Sequence, residues 1–281
     1  MDKVYYYNRN GQLRLTIGED PFYMVEGTGE FKNHGWGYEQ KYGKIKGLYR
    51  NKESYPFSIV ITSGDKSDHD KLCDVFDDDV IAGEPGYFII NGWRLDCIVL
   101  KAEHSFFSGL DRVIAFEAIS EGSTWVRKKM KSYNGTNAGM SQDVDYGRDY
   151  TYTESVLGRG YDYGYNQADS RYDLIRLAGS DNGFEAVIYG PQDDPVIYLD
   201  NYPVKVNVSI GSTERLRIVS NGAEERTITI LSADGTERDA FIYRDKENTP
   251  FISMDSETEL TFGEIKFDFT TIERRSEPSW T

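Results

Sequence analysis

A chain of 281 residues exceeds the usual domain size of about 100 to 200 residues, so two domains are expected, each long enough to bury its own core. Hydrophobic residues at 38% and charged residues at 28% exclude a disordered chain, and 21 tyrosines favour strands and interfaces over helix interiors. A net charge of -15, from 47 acidic and 32 basic residues, sets the long-range field against nucleic acid and anionic membranes, so neither is expected as a partner.

The opening Met1-Asp2-Lys3-Val4-Tyr5-Tyr6-Tyr7 lacks the apolar core of a secretory signal, and no later run approaches the ~20 apolar residues that span a bilayer, so synthesis and retention in a cytosol are expected. Leu13 to Ile17, Phe22 to Glu26 and Tyr55 to Ile61 read as short strands. Gly37 to Lys44 imitates a phosphate loop, but five residues separate its glycines where about four are needed, and Ile45 replaces the magnesium-binding hydroxyl. The reading left for it is a mobile polar β loop.

One helix follows. Ser67 with Asp70 fits a capping box, Leu72, Val75, Phe76 and Val80 recur at helical spacing, and Gly83 then Pro85 supply the stop. Asp77 to Asp79 suit the C-terminal end poorly, because the macrodipole favours cations there, so fraying or an early end is expected. His69 and Cys73 lie four apart on this helix, but two ligands do not make a metal site, and the expectation is a solvent-facing histidine and a buried cysteine. Cys73 and Cys97 are the chain's two cysteines, which suggests buried thiols and no disulfide framework.

Tyr87 to Ile90, Asn91-Gly92 and Trp93 to Leu100 give a hairpin with a type I′ turn. Leu110 to Ile119 adds a strand with apolar residues at both parities, expected to be covered on both faces. Residues 1–130 therefore read as a β-sandwich-like domain with one helix. Residues 131–171 form a Tyr/Gly/Asp-rich connector without apolar periodicity. Within it, Asp143, Asp145 and Glu154 imitate a calcium loop, but Arg148 occupies the glycine position and Gly147 a ligand position.

Residues 172–281 read as an antiparallel β-sandwich. Val204, Val206, Val208 and Ile210 share one face of a strand, Leu216 and Ile218 follow, Asn221-Gly222 leads to Ile228 and Ile230, and Asp234-Gly235 turns the chain into a strand around Phe241 to Tyr243. Leu260 and Phe262 share one parity while Ile265, Phe267 and Phe269 share the other, which requires a bulge or tight turn at Gly263-Glu264.

No nucleophile elbow or zincin motif occurs, and the three histidines have no motif that pairs them with a nucleophile. Two carboxylates suffice for glycoside hydrolysis and the chain has many, yet their abundance is more simply a solvated acidic surface. Accordingly no catalytic, cofactor-binding or metal-ligating residue is assigned, no cofactor is expected, and the protein reads as a non-enzyme.

Asp145-Tyr146-Gly147-Arg148-Asp149-Tyr150, followed by Gly160-Tyr161-Asp162-Tyr163-Gly164-Tyr165, resembles the connector of phage distal tail proteins. Trp93 to Val99 and Ile119 to Arg127 resemble the family's N-terminal domain, and Ala186 to Pro191, Pro195 to Tyr198 and Pro250 to Ile252 its C-terminal domain. The resemblance implies a hexameric ring built by the N-terminal domain at the tail tip, and a C-terminal galectin-like sandwich. It implies a virion component assembled in the bacterial cytoplasm, joining the tail tube to the baseplate or to tail fibre and receptor-binding proteins. Carbohydrate binding by the second domain is the alternative, though tryptophan is scarce there.

Overall fold

The structure is a computed structural model that describes residues 3–25, 36–50, 55–106, 112–122, 124–135, 171–178, 182–221 and 225–277. The fold is mainly β. It divides into two compact units, residues 1–127 with 274–281, and residues 128–273, so the final eight residues belong with the first unit.

The first unit begins with β1 (Val4–Tyr7), β2 (Leu13–Ile17), β3 (Tyr23–Met24), β4 (Trp36–Lys41), β5 (Lys44–Arg50) and β6 (Pro56–Ser63). Two helices follow, α1 (Lys66–Asp74) and α2 (Asp77–Ala82), then β7 (Gly86–Ile90), β8 (Trp93–Phe106), β9 (Arg112–Ser120) and the start of β10 (Trp125–Asn134). Strands run in the order β2-β1-β7-β8-β9-β6-β3. β2 occupies the residues expected of it, while β1 arises from the tyrosine-rich N-terminus. The β7–β8 turn places Asn91 at φ 48° and Gly92 at φ 79°, the type I′ geometry that Asn-Gly supplies cheaply.

β8 is longer than its sequence pattern suggests. Its first residues pair with β7 and its last with β9, and a register shift leaves Leu100 unpaired between Val99 and Lys101. Such a bulge bends a strand and lets it serve two neighbours. On β9, Ile114, Phe116 and Ala118 are buried on one face, while on the other Val113 is buried, Ala115 and Ile119 are partly buried and Glu117 is exposed, so the second face is covered in part.

The single expected helix is broken. Val75 and Phe76 separate α1 from α2, and Asp77, Asp78 and Asp79 form the first turn of α2, where the helix dipole favours acids. The break is the early end that the acidic run demanded. The cap of α1 is Asp65, whose side chain accepts from the Asp68 backbone N at 2.9 Å, in place of the expected Ser67. Gly83, at φ 69°, ends α2 with its N–H directed at Asp79 and Val80 carbonyls. Leu72, Val75 and Phe76 are buried, but restarting the helix turns Val80 outward.

Asp79 ties α2 to the sheet. It is buried and accepts from the Tyr6 hydroxyl at 2.6 Å and from the Arg9 backbone N at 3.0 Å. The approach is close enough that a Cβ on Gly86 would lie 2.1 Å from the Tyr6 oxygen and 2.7 Å from an Asp79 oxygen. Burial, and then the bond to Asp79, push the Tyr6 hydroxyl far above its ordinary pKa. Phe76 completes the cluster, with its ring 4.7 Å from that of Tyr6 and 4.9 Å from that of Phe116.

The second unit holds the rest of β10, then β11 (Arg171–Arg176), β12 (Gly183–Tyr189), β13 (Gln192–Asp193), β14 (Val196–Leu199), β15 (Tyr202–Lys205), β16 (Ser209–Ile210), β17 (Arg215–Asn221), β18 (Glu225–Leu231), β19 (Glu237–Asp239), β20 (Glu257–Phe262) and most of β21 (Lys266–Arg275). One sheet runs β19-β18-β17-β12-β21 and a second β11-β20-β14-β15, with a core of Phe184, Ile188, Leu199, Leu216, Ile230 and Phe267 among others. β20 and β21 belong to different sheets, and the crossing between them falls at Gly263–Glu264, where Ile265 N donates to the Gly263 carbonyl at 2.9 Å.

Three expectations change here. Lys131 to Asn134, placed in the connector by composition, continue β10, and residues 136–170 of the connector lie outside the described residues. The strand expected through Val204 to Ile210 is interrupted between β15 and β16, although Val204, Val206 and Ile210 still face inward. Phe241–Tyr243 form a 3-10 turn and no strand, because the Asp239 side chain accepts from Phe241 N at 2.8 Å and Tyr243 N reaches back to Ala240.

Phe76→Ala is expected to cost about 3 to 5 kcal/mol through the cavity left between Tyr6 and Phe116, read as a fall in melting temperature. Because Tyr6 has a raised pKa only when folded, its contribution is complete below about pH 10 and is lost as pH rises beyond that value. The Tyr6→Phe variant should therefore show a shallower loss of stability above that pH, by up to one proton or about 1.4 kcal/mol per pH unit, in urea titrations.

Candidate assembly surfaces

The fold places the sequence features that imitate catalytic or metal-binding motifs. Gly37 to Lys44 lies on β4 and β5, whose register runs from Trp36 opposite Arg50 to Lys41 opposite Lys44. Its tip, Tyr42 at φ 53° and Gly43 at φ 73°, is a tight hairpin turn, so the expected mobile loop is a paired ladder. The sequence concealed it because Tyr-Gly lacks the usual Asn-Gly signature. His69 is 6% exposed and so does not face solvent, since on α1 it lies three residues before buried Leu72, on the same face.

The side chain of Cys73 and the Asp143–Glu154 frame lie outside the described residues. Cys97 is a free, buried thiol, and burial pushes its pKa upward. Among the described residues, no group of three or more His, Cys, Asp or Glu side chains is placed to hold a metal, and no helix is long and apolar enough to cross a membrane.

What the first unit does present is two contrasting surfaces. Among the described residues, β4 and β5 pair only with each other. An isolated two-stranded hairpin is marginal in water and gains from a neighbour. Residues 39–46 are all exposed, and they carry Lys41, Lys44 and Lys46 together with Tyr42 at 90% exposure and Ile45. In a chain of net charge -15 this tip is locally cationic and partly apolar.

The opposite chemistry sits on α2, where Asp77 and Asp78 are exposed beside Val80 and an Ile81 that is 84% exposed. Tertiary contacts hold that helix in place. Arg14 meets the Asp78 carboxylate at 3.1 Å, and the Arg9 guanidinium reaches the Asp78 carbonyl at 3.3 Å and the Glu84 carboxylate at 3.6 Å. Each is partly solvated and contributes little alone, but with buried Asp79 they fix where Val80 and Ile81 point.

No protein-family model matches the sequence, and no characterised protein matches it in sequence. Solved structures do match in fold. The Dit protein of phage SPP1, described as a paradigm of the hub adsorption apparatus in phages infecting Gram-positive bacteria, superposes with a TM-score of 0.54 at 7% identity, covering 98% of this chain and 99% of that one. A chain of the phage P2 baseplate in its activated conformation with calcium matches at 0.51 and 10% identity, covering 99% of both chains. The strontium form of that baseplate gives the same score and identity over 99% of this chain and 100% of the other. The chain thus carries, over nearly its whole length, the fold of phage Dit and baseplate proteins.

Proposed function

We propose that this protein is a structural component of a phage tail tip, a distal tail protein whose first unit closes into a hexameric ring between the tail tube and the baseplate or fibre apparatus. The observation that carries the reading is the full-length match in fold to Dit and baseplate chains, where a shared single domain would carry much less. The two surfaces of the first unit support it. A ring needs two different, mutually complementary patches on each subunit, and a lysine-tipped hairpin with Tyr42 and Ile45 complements an aspartate-edged helix with Val80 and Ile81.

In this reading the protein works by geometry and needs no catalytic residue. It would be assembled in the host cytoplasm and reside in the virion tail. The second unit, a galectin-like sandwich, is available for contacts with fibre or receptor-binding proteins.

Light scattering and negative-stain imaging of the full chain, alone and with tail tube and hub proteins, should reveal sixfold rings. Reversing Lys41, Lys44 and Lys46 to Glu should shift the chain toward monomer, and adding Asp77→Lys should restore part of the assembly. A chain that stays monomeric with every tail partner would overturn the proposal.

A further inference from the structure

The larger sheet of the second unit turns one face to the core and the other outward. Lys266 on β21, Tyr189 on β12 and Arg215 on β17 stand in direct register, and the adjoining Phe267, Ile188 and Leu216 fill the core, so the first three side chains share the outer face. Lys266 Nζ lies 5.1 Å and Arg215 Cζ 5.2 Å from the centre of the Tyr189 ring. The Tyr189 hydroxyl donates to Asp268 Oδ2 at 2.5 Å, and Ser132 Oγ donates to the other oxygen at 2.6 Å, so the ring between the two cations is anchored through β21 to β10.

The carboxylates of these strands are already engaged. Asp268 serves Tyr189 and Ser132, Glu185 meets Arg217 at 2.6 Å, and Glu214, just before β17, takes the Gly211 N–H at 2.8 Å and Arg238 at 3.1 Å. Lys266 and Arg215 are both exposed, and among the described residues neither meets a carboxylate. Composition favours the opposite, since 47 acidic residues outnumber 32 basic ones, and Lys131, Arg176 and Lys205 of the same unit each have an acid partner. Beyond Arg215 the row runs through half-buried Leu231 to Glu237 at the sheet edge. Tyrosine and arginine, side by side at its centre, are residue types in which binding energy concentrates at protein interfaces.

We propose that this row docks an acidic segment of a partner protein, with a carboxylate seated between Lys266 and Arg215 at the rim of the Tyr189 ring and an apolar side chain against Tyr189 and Leu231. The tail-tip reading supplies such a partner, and the docking site rests on it. The carboxylate oxygens accept from the ammonium and the guanidinium, charge-assisted bonds that neither cation finds within the chain. An anionic polymer such as polyphosphate would bring successive like charges against a chain of net charge -15, whereas a protein segment brings one or two beside neutral residues, which selects the protein. Each exposed ion pair contributes little, so a short peptide binds weakly and gains from the apolar contact beside it.

The test is an NMR titration of the isotope-labelled full chain with a Gly-Glu-Leu-Glu-Gly peptide, its Gly-Gln-Leu-Gln-Gly and Gly-Lys-Leu-Lys-Gly counterparts, and polyphosphate, all at matched ionic strength. The glutamate peptide is expected to shift the signals of Lys266, Tyr189 and Arg215, and the glutamine and lysine peptides to leave them in place. Lys266→Gln and Arg215→Gln should each weaken binding about threefold, Lys266→Glu/Arg215→Glu should abolish it, and Lys246→Glu, at an exposed cation elsewhere in the unit, should leave it unchanged. Each variant's own spectrum reports whether it is folded. The proposal is overturned by unmoved signals with the glutamate peptide, by equal shifts with the glutamine peptide, by stronger binding of polyphosphate, or by unchanged affinity in the folded double reversal. A chain that forms no ring can still take the peptide, and a ring-forming chain can still refuse it, so the two proposals fail separately.

Discussion

A buried carboxylate organises the first unit. Asp79 has no access to water, so its charge is tolerable only while the Tyr6 hydroxyl and the Arg9 amide donate to it and the start of α2 supplies its dipole. A bond to a charged group of this kind is worth about 1.5 to 3 kcal/mol, and stranding the carboxylate would cost more. Because Tyr6 lies on β1 and Arg9 in the turn that follows it, the contact fixes α2 against the start of the chain's first sheet. The break after Asp74, the outward turn of Val80 and Ile81, and the requirement for glycine at position 86 all follow from that placement.

The second unit uses buried charge differently. Asp173, inside the sandwich at β11, takes the Lys131 ammonium at 2.7 Å and the Tyr133 hydroxyl, both from β10. Glu273 is fully buried and meets Lys129 Nζ at 3.0 Å and the Ala178 backbone N at 2.7 Å. Each carboxylate thus joins segments remote in sequence, a use of polar groups that gives the strands one arrangement in return for the cost of desolvation. At the edge of the larger sheet, β19 reads Glu-Arg-Asp and is exposed throughout, which discourages pairing with other chains. Tyr172 and Tyr198, both exposed, stand on the other sheet of this unit.

Electrostatics bears on how copies of the chain meet. A net charge of -15 keeps copies apart in dilute solution, and a lysine hairpin is a local reversal of that field. Screening over about 8 Å at physiological ionic strength weakens the general repulsion between copies, while contacts at closer range persist.

Residue patterning alone determined the mainly β character, the hairpin at Asn91-Gly92, the crossing at Gly263-Glu264 and the burial of Leu72, Phe76, Phe267 and Phe269. Each of these depends on local backbone preference or on the period of apolar side chains, which the chain carries with it. The motif order also pointed to the distal tail fold, although neither the family models nor the characterised proteins match in sequence. Tertiary structure decided the rest. The restart at Asp77 needs a sheet for Asp79 to reach, the inward face of His69 needs a partner layer, and the 3-10 turn at Phe241 needs the Asp239 side chain in place of a ladder. The tyrosine pair is the clearest case, since Tyr172 and Tyr198 are 26 positions apart and become neighbours only when Thr261 arrives between them. Spacing along the chain encodes faces and turns, but which faces meet is set by register between strands distant in sequence.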